Sequence, residues 1–200
     1  MVATLEDLLT EAQRIGLIGP GTLRTAIDQA AAFAVEIPAG PATVVDVGSG
    51  GGLPGLVLCR ERADITLTLM DRRGRACDFL RRAVRALEWG GRAVVVHRDV
   101  AELGHDPAWR GRFDVATARG VGSPSLVAEL VLPLVRPGGR LVVSTVGQGA
   151  AWSDDGLDLL DARVLSRHDG IVVVEAGRCD PRYPRARQLP PLFGGPGCST

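Results

Sequence analysis

A run of strand-forming residues that passes directly into a glycine-rich loop constrains this chain more than any other feature of its sequence. Residues 44–55 are VVDVGSGGGLPG, in which five of the last eight residues are glycine. Glycine adopts backbone conformations that other residues avoid, and it lets a ligand approach the main chain closely. Because a helical pattern begins at Pro54, the order of strand, glycine loop and helix predicts a ligand-binding turn in an α/β fold.

The chain downstream of this loop alternates between strand-like and helix-like segments. Strands are predicted at residues 43–47, 65–71, 92–99, 112–119 and 137–146. Helices are predicted between them at residues 54–62, 73–89 and 123–134. Residues 162–177 predict a closing β-hairpin that turns at Asp169-Gly170. The alternation predicts a doubly wound, Rossmann-like α/β fold with a mostly parallel sheet and one antiparallel hairpin.

Two helical patterns precede the first strand, at residues 3–14 and 20–36. They predict a short N-terminal helical segment, and the glycine and prolines of residues 37–42 mark its end. We therefore divide the chain into an N-terminal helical segment (1–40), an α/β domain that carries the ligand site (41–180) and a tail rich in arginine and proline (181–200).

Composition argues against several classes of protein. The formal net charge is zero, and no apolar stretch of the sequence reaches the ~18 residues that a membrane span needs. The acidic beginning of the sequence lacks the basic region of a signal peptide. The four cysteines are scattered without a CxxC pair, which predicts free thiols, a cytoplasmic location and no metal site.

Acidic residues stand at or near the ends of the first three predicted strands. Asp46 lies two residues before the first glycine of the loop, Asp71 closes the second strand 21 residues after Gly50, and Asp99–Val100 ends the third. In this topology a carboxylate at the tip of the second strand accepts the hydroxyls of a ribose. Asp99 is placed to bond an adenine amino group, and Val100 to cover the ring. The series predicts a ligand that contains a nucleoside.

Two classes of nucleoside ligand fit the glycine loop to different degrees. Gly50, Gly52 and Gly55 satisfy the G-x-G-x-x-G pattern of dinucleotide sites, but that pattern starts two residues late. S-adenosylmethionine has no pyrophosphate, and its sulfonium and ammonium groups are cationic, so the carboxylate of Asp46 would attract it. We therefore expect S-adenosylmethionine rather than NAD, bound by Gly48, Gly50 and Gly52 of the loop.

Four segments of the sequence resemble a known family, namely DVGSGGGLPGLVL, LMDRRGRACDFLRRAV, FDVATARGV and PLVRPGGRLVV. They are similar to the bacterial small-subunit (16S) ribosomal RNA guanine-N7 methyltransferases, also called the glucose-inhibited division protein B family. The resemblance implies an S-adenosylmethionine-dependent methyltransferase that acts on ribosomal RNA or the small ribosomal subunit. It also implies cofactor contacts at Gly48, Leu53, the Asp99–Val100 segment and Arg119.

Guanine N7 carries a free lone pair, so such an enzyme positions its substrates and needs no general base. We accordingly assign no catalytic residue, and Arg119, at the end of the fourth predicted strand, is a candidate to face the substrate. Members of the family usually have Lys-Gly-Gln where this chain has Val146-Gly147-Gln148. This departure leaves alternatives open: a methyltransferase for another RNA or for a small molecule, or a cofactor-binding homologue that has lost activity.

All 23 basic residues are arginine, a side chain well suited to binding phosphate. Arg81, Arg82 and Arg85 lie on the predicted helix 73–89, and Arg182 and Arg185 lie in the tail. These five arginines are candidates to contact RNA. The alternatives are a solvated helix face for the first three and a disordered proline-rich tail for the other two.

Overall fold

The computed structural model describes residues 3–144, 152–185 and 189–193. Seven strands form a mostly parallel sheet with helices between them, which confirms the predicted α/β fold class. The described residues divide after Asp99 into two compact units. In the described ranges no helix is long and apolar enough to cross a membrane.

The first unit contains three parallel strands in the order β3-β2-β1 and four helices. The strands are β1 (Ala42–Val47), β2 (Ile65–Asp71) and β3 (Ala93–His97). The helices are α1 (Leu5–Arg14), α2 (Leu23–Val35), α3 (Gly55–Glu61) and α4 (Gly74–Ala86). Most side chains of β1 and β2 are buried, as expected for parallel strands that are covered on both faces.

The N-terminal helical segment is anchored by local polar contacts and by an apolar face. Thr4 and Asp7 form a reciprocal capping box that starts α1. The buried side chains of α1 are those of Leu5, Leu8, Leu9 and Ala12. Gln13, near the end of α1, donates from its side-chain amide to the carbonyl oxygens of Gly19 and Gly21 in the following turn, at 3.1 and 2.9 Å. The turn between the two helices is thereby tied to the end of α1.

The second unit contains the remaining four strands, in the order β4-β5-β7-β6. The strands are β4 (Phe113–Ala118), β5 (Val135–Ser144), β6 (Ala162–His168) and β7 (Ile171–Ala176). The helices are α5 (Val100–Leu103), α6 (Pro124–Val131), a 3₁₀ helix (Leu132–Leu134) and α7 (Asp154–Asp158). β7 is antiparallel to both β5 and β6, which confirms the closing hairpin. Asp169 and Gly170 form its turn, both with positive φ.

Several predicted boundaries are wrong. The predicted helices 20–36 and 73–89 are observed as Leu23–Val35 and Gly74–Ala86, and the predicted strand 137–146 begins at Val135. The helix predicted over 123–134 ends at Val131 and continues as a 3₁₀ helix, because Pro133 has no N–H to donate to the carbonyl four residues earlier. The third strand ends at His97 rather than 99, so Asp99 lies in a connection and Val100 begins α5. The predicted end of β5, with Val146, lies outside the described residues.

Side-chain donors hold the C-terminal segment of the second unit, which we define as residues 178–185. The Arg110 guanidinium donates to four backbone carbonyl oxygens at 2.6–2.8 Å, those of Gly104, Cys179, Asp180 and Tyr183. The Nε2 atom of His105 lies 2.7 Å from the carbonyl oxygen of Pro184. This part of the predicted tail is therefore ordered by contacts with its own unit.

Candidate functional site

The carboxyl ends of the three parallel strands lie at one edge of the first unit. The strand register sets Val47 of β1 beside Met70, and Asp71 of β2 beside His97, the last residue of β3. The glycine loop begins at the same edge, where the N–H of Gly48 donates to the carbonyl oxygen of Met70 at 2.8 Å. The predicted glycine loop and the predicted ribose-binding acid are therefore neighbours.

Ser49 is buried and links the ends of β1 and β2. Its hydroxyl donates to the carbonyl oxygen of Asp46 at 2.8 Å and accepts the N–H of Met70 at 3.0 Å. Because both hydrogen-bonding roles of the hydroxyl are used, the loop is held in a defined position above the strands. The sequence analysis missed this residue, and its signal is a small polar side chain set between glycines.

Asp46 is fully buried beneath the loop. Its Oδ2 atom accepts the N–H of Gly55, the first residue of α3, at 3.2 Å. A carboxylate is favourable at the start of a helix, where backbone N–H groups lack partners within the helix. A Cβ atom on Gly55 would lie 2.7 Å from the same oxygen, so the site requires glycine. The contact with Gly55 is internal to the protein, and attraction of a cationic ligand by Asp46 stays a prediction.

The carboxylate of Asp71 accepts four hydrogen bonds at the tip of β2. The backbone N–H of Gly50 donates to Oδ2 at 2.9 Å, and the backbone N–H of Arg73 donates to Oδ1 at 2.9 Å. The Arg73 side chain adds Nε to Oδ1 and Nη2 to Oδ2, each at 3.1 Å. The glycine loop and the second strand thus share one acidic centre. The spacing of Gly50 and Asp71 predicted their proximity, but the sequence analysis did not assign a role to Arg73.

These contacts change the pKa of Asp71. Burial by itself raises the pKa of this carboxyl, but the bonds from the Arg73 side chain and from the two backbone N–H groups outweigh it. The net result is a pKa below the ordinary value of 3.8. The hydrogen bonds between the two side chains also raise the pKa of Arg73 above its ordinary value. Asp71 is therefore ionised at neutral pH and serves as a hydrogen-bond acceptor.

Two glycines of the loop are required for different reasons. Gly50 has a φ of +53°, a conformation that a β-branched residue resists. A Cβ on Gly51 would lie 2.5 Å from Cγ1 of Ile18 and 3.0 Å from Cβ of Ala12. Packing of the N-terminal segment therefore accounts for Gly51, which is not among the glycines predicted to bind the cofactor.

The other predicted cofactor contacts occupy both units. Gly52 has a φ of +95°, and Leu53 is buried in the loop. Asp99 is half-buried after β3. Val100 is buried at the start of α5, and Arg119 is half-buried directly after β4. Val100 and Arg119 belong to the second unit. Their contact with a cofactor stays a prediction.

The predicted arginine face of α4 is partly neutralised. Arg82 pairs with Glu11 of α1 at 2.9 Å, and Arg81 pairs with Asp78 at 3.0 Å. Arg85 is exposed, and among the described residues no acidic partner lies within ion-pair distance of it. It is the most available of the three predicted RNA contacts on this helix.

The two predicted arginines of the C-terminal segment differ in their contacts. Arg185 forms a two-pronged ion pair with Glu129 of α6, with N···O distances of 2.8 and 2.9 Å, and its side chain is only 25% exposed. Arg182 is 63% exposed, forms a long ion pair of 3.7 Å with the exposed carboxylate of Asp180, and lies over the ring of Tyr183 at 5.2 Å. Arg185 is thus committed to its own unit, whereas Arg182 remains accessible.

The ranges that the structure describes contain no group of three or more His, Cys, Asp or Glu residues arranged to hold a metal ion. Cys59, Cys77 and Cys179 are free thiols, and burial raises the pKa of each. The acidic centre at Asp71, with the adjoining glycine loop, is therefore our candidate site.

Comparison with protein families gives one match over most of the chain. Residues 3–151 match the family described as rRNA small subunit methyltransferase G. A ribosomal RNA small subunit methyltransferase G from Mycobacterium sp. (strain KMS) is 36% identical over 185 residues, covering 89% of this chain and 76% of the relative. A protein of the same name from Rubrobacter xylanophilus is 33% identical over 219 residues, covering 94% and 81%.

Solved structures of methyltransferases share the fold. A SAM-dependent O-methyltransferase from Thermotoga maritima superposes with a TM-score of 0.60 at 14% identity, covering 90% of this chain and 73% of that one. An O-methyltransferase family protein from Burkholderia thailandensis gives a TM-score of 0.55 at 16% identity, covering 87% and 58%. At these identities the likeness concerns the fold alone.

Proposed function

Because the chain belongs to the rRNA small subunit methyltransferase G family, we propose that it transfers a methyl group to N7 of a guanine in small-subunit ribosomal RNA. It is an S-adenosylmethionine-dependent methyltransferase, and the resemblance noted in the sequence is thereby confirmed. The position of the methylated atom, the residues that bind the cofactor and a cytoplasmic location are parts of the proposal.

The observation that carries the cofactor site is the bond of 2.9 Å between the Gly50 N–H and the Asp71 carboxylate. It joins a glycine-rich loop to an ionised acceptor at the tip of the second strand, where folds of this class bind nucleosides. The fit is chemical as well as positional, because a ribose diol needs two acceptor sites and Asp71 offers a carboxylate. We therefore assign ribose binding to Asp71 and close backbone approach to Gly48, Gly50 and Gly52.

When bound, S-adenosylmethionine supplies a methyl group on a cationic sulfonium. Since guanine N7 carries a lone pair, the residues of this chain have no proton to remove from it. Their work is to hold cofactor and base in a fixed orientation, which by itself lowers the barrier of a displacement reaction. Arg119, directly after β4, is our candidate to position the base.

Single-stranded RNA would be held by exposed arginines rather than by a uniformly basic surface, since the formal net charge is zero. Arg85 and Arg182 are the best supported candidates because both are exposed. Arginine beside an aromatic ring, as at Arg182 and Tyr183, suits stacking on an unpaired base.

The test is methyl transfer to small-subunit RNA from cells that lack the protein. Purified protein with labelled cofactor should methylate that RNA, either naked or in the assembled subunit, and N7-methylguanine should be mapped in the product. A Gly50→Val variant should lose cofactor binding and transfer, because a β-branched residue resists φ of +53°. Gly90→Ala, in open space outside the site, is the matched control.

The outcomes separate the alternatives that the sequence left open. Cofactor binding without transfer to any RNA would indicate a homologue that has lost activity, in line with Val146 at the usual lysine position. Transfer to small molecules but not to RNA would replace the substrate in this proposal. Binding of NAD in place of the cofactor would overturn the cofactor assignment.

A further inference from the structure

The hydrogen-bonding capacity of Asp71 is already full. A carboxylate has about four lone-pair positions. In Asp71 two are taken by backbone N–H groups, of Gly50 and Arg73, and two by side-chain nitrogens of Arg73. The Asp71 side chain is 3% exposed, so solvent does not compete for these positions. A new donor therefore has to displace an existing one.

The two kinds of donor differ in how easily they leave. The backbone N–H groups are fixed by the glycine loop and by the start of α4. The Arg73 side chain is 55% exposed and flexible, and it can rotate into water without breaking the fold. Its departure would free one position on each carboxylate oxygen, Oδ1 from Nε and Oδ2 from Nη2. A ribose cis-diol presents two hydroxyl donors, the number that would be freed.

We propose that the Arg73 guanidinium occupies the ribose-binding positions of Asp71 in the free protein and must rotate away when the cofactor binds. The inference rests on the proposed assignment of Asp71 to the ribose. Arg73 is then a positioning residue: it keeps the carboxylate ionised and oriented, and it competes with the ligand. A second observation supports the crowding, since a Cβ on Gly50 would lie 3.2 Å from Nη2 of Arg73. The guanidinium thus lies against the glycine loop as well as against the acid.

The competition lowers the apparent affinity by the fraction of protein in which Arg73 is rotated away. Because Arg73 is the exposed partner of this pair and loses side-chain entropy when it holds the fork, we expect that fraction to be about 10–50%. Arg73→Met should therefore bind S-adenosylhomocysteine about two- to tenfold more tightly than the unaltered protein. Titration calorimetry measures the affinity, and stopped-flow fluorescence measures the association rate, which should also rise.

The matched control is Arg75→Met. Arg75 lies two residues after Arg73, in the first turn of α4, and its guanidinium binds the carbonyl oxygen of Ile15 rather than Asp71. It should leave the affinity unchanged. A ligand control is the 2′,3′-dideoxy analogue of S-adenosylhomocysteine, which has no diol to exchange with Arg73. Its affinity should not increase in Arg73→Met, a difference that a general change in stability would not produce.

Nitrogen-15 NMR provides a direct readout. The Nε–H signal of Arg73 should be protected from solvent exchange in the free protein and should lose that protection when S-adenosylhomocysteine is added. If Arg73→Met does not fold, Arg73→Lys keeps the charge without the planar fork and should show a smaller gain in affinity.

Three results overturn the inference. They are unchanged or weaker binding of S-adenosylhomocysteine by Arg73→Met, an equal gain with the dideoxy analogue, and an Nε–H signal that the ligand does not alter. Failure of the proposed cofactor site is distinguishable from these, because then neither the unaltered protein nor Arg73→Met binds the cofactor product. Failure of methyl transfer to RNA is distinguishable as well, because it would leave both affinities unchanged.

Discussion

The glycine loop of the first unit and the C-terminal segment of the second unit are both irregular backbone, but side chains of opposite charge hold them. In the loop, carboxylates accept backbone N–H groups: Asp46 that of Gly55 and Asp71 that of Gly50. In the C-terminal segment, Arg110 donates to backbone carbonyl oxygens. Loops that lead into helices have spare N–H groups, and irregular segments that pack against the protein need donors for their backbone carbonyl oxygens.

The difference separates a site from an anchor. Arg110 donates to backbone carbonyl oxygens of its own unit, and a ligand would have to break several of these bonds to replace it. The Asp71 centre instead combines fixed backbone donors with one exposed, movable guanidinium. An acceptor with replaceable donors can bind a hydroxyl-bearing ligand, which is why only the first of the two regions is a candidate site.

The largest effect should come from removing the anchor. Arg110→Met deletes bonds to four carbonyl oxygens; a single bond to a charged group contributes about 1.5–3 kcal/mol net of its exchange with water, and the contributions of bonds from one side chain do not add. We expect the free energy of unfolding to fall by about 2–4 kcal/mol in chemical denaturation. Arg24→Met, which loses an exposed ion pair with Asp28, should cost less than about 1 kcal/mol. Equal losses would show that Arg110 is not an anchor.

A methyl group beneath the loop should have the next largest effect. In Gly55→Ala the new Cβ meets Cδ2 of Leu69 and, at 2.7 Å, Oδ2 of Asp46, so the buried side chains or the helix start must shift. Overpacking of this kind costs about 1–3 kcal/mol. Gly90→Ala adds the same atom in open space and should be close to neutral. Thermal unfolding of the two variants compares them, and a neutral Gly55→Ala would remove Asp46 from the support of the loop.

The acidic centre should make stability depend on pH. Because the folded pKa of Asp71 lies below 3.8, its ionised form stabilises the folded state at neutral pH, and that contribution disappears as the pH falls through the folded pKa. Asp71→Asn should therefore be less stable than the unaltered protein by about 1–2 kcal/mol at pH 7, with a smaller difference near pH 3.

Asp28→Asn is the control for that measurement, since Asp28 is an exposed carboxylate paired with Arg24. It should change stability by less than about 1 kcal/mol at either pH. A difference between Asp71→Asn and the unaltered protein that does not shrink on acidification would show that the charge of Asp71 is not what stabilises the loop.

The smallest effect concerns RNA. If Arg85 contacts one phosphate of a single strand, Arg85→Gln should lower the slope of log affinity against log salt by about 0.7. Cofactor affinity should not change, because the residue lies on the outer face of α4. Arg24→Gln, on α2 and paired with Asp28, should leave the slope unaltered. An unchanged slope for Arg85→Gln would leave this helix a solvated face.

Sequence patterns predicted the fold class and the position of the site, because both depend on local regularities. Alternating strands and helices define a mostly parallel sheet, and the strand ends of such a sheet share one edge. The spacing of Gly50 and Asp71 therefore sufficed to predict that they are neighbours. The ends of the helices were predicted less accurately than their existence. Periodicity alone predicted one continuous helix over 123–134, whereas Pro133 changes the helix type after Val131.

The partners of each polar group were decided only by the tertiary structure. Ser49 binds across two strands because the register of β1 and β2 sets its hydroxyl beside Met70, and no local pattern contains that register. The glycine at position 51 is required by Ile18, more than thirty residues earlier in the chain. Likewise, Arg73 follows Asp71 by two residues in the sequence, but its fork on that carboxylate depends on how α4 begins. Sequence thus determined which chemistry meets at the strand ends, and three-dimensional packing determined which donor holds which acceptor, because hydrogen bonds depend on distances that sequence spacing does not specify.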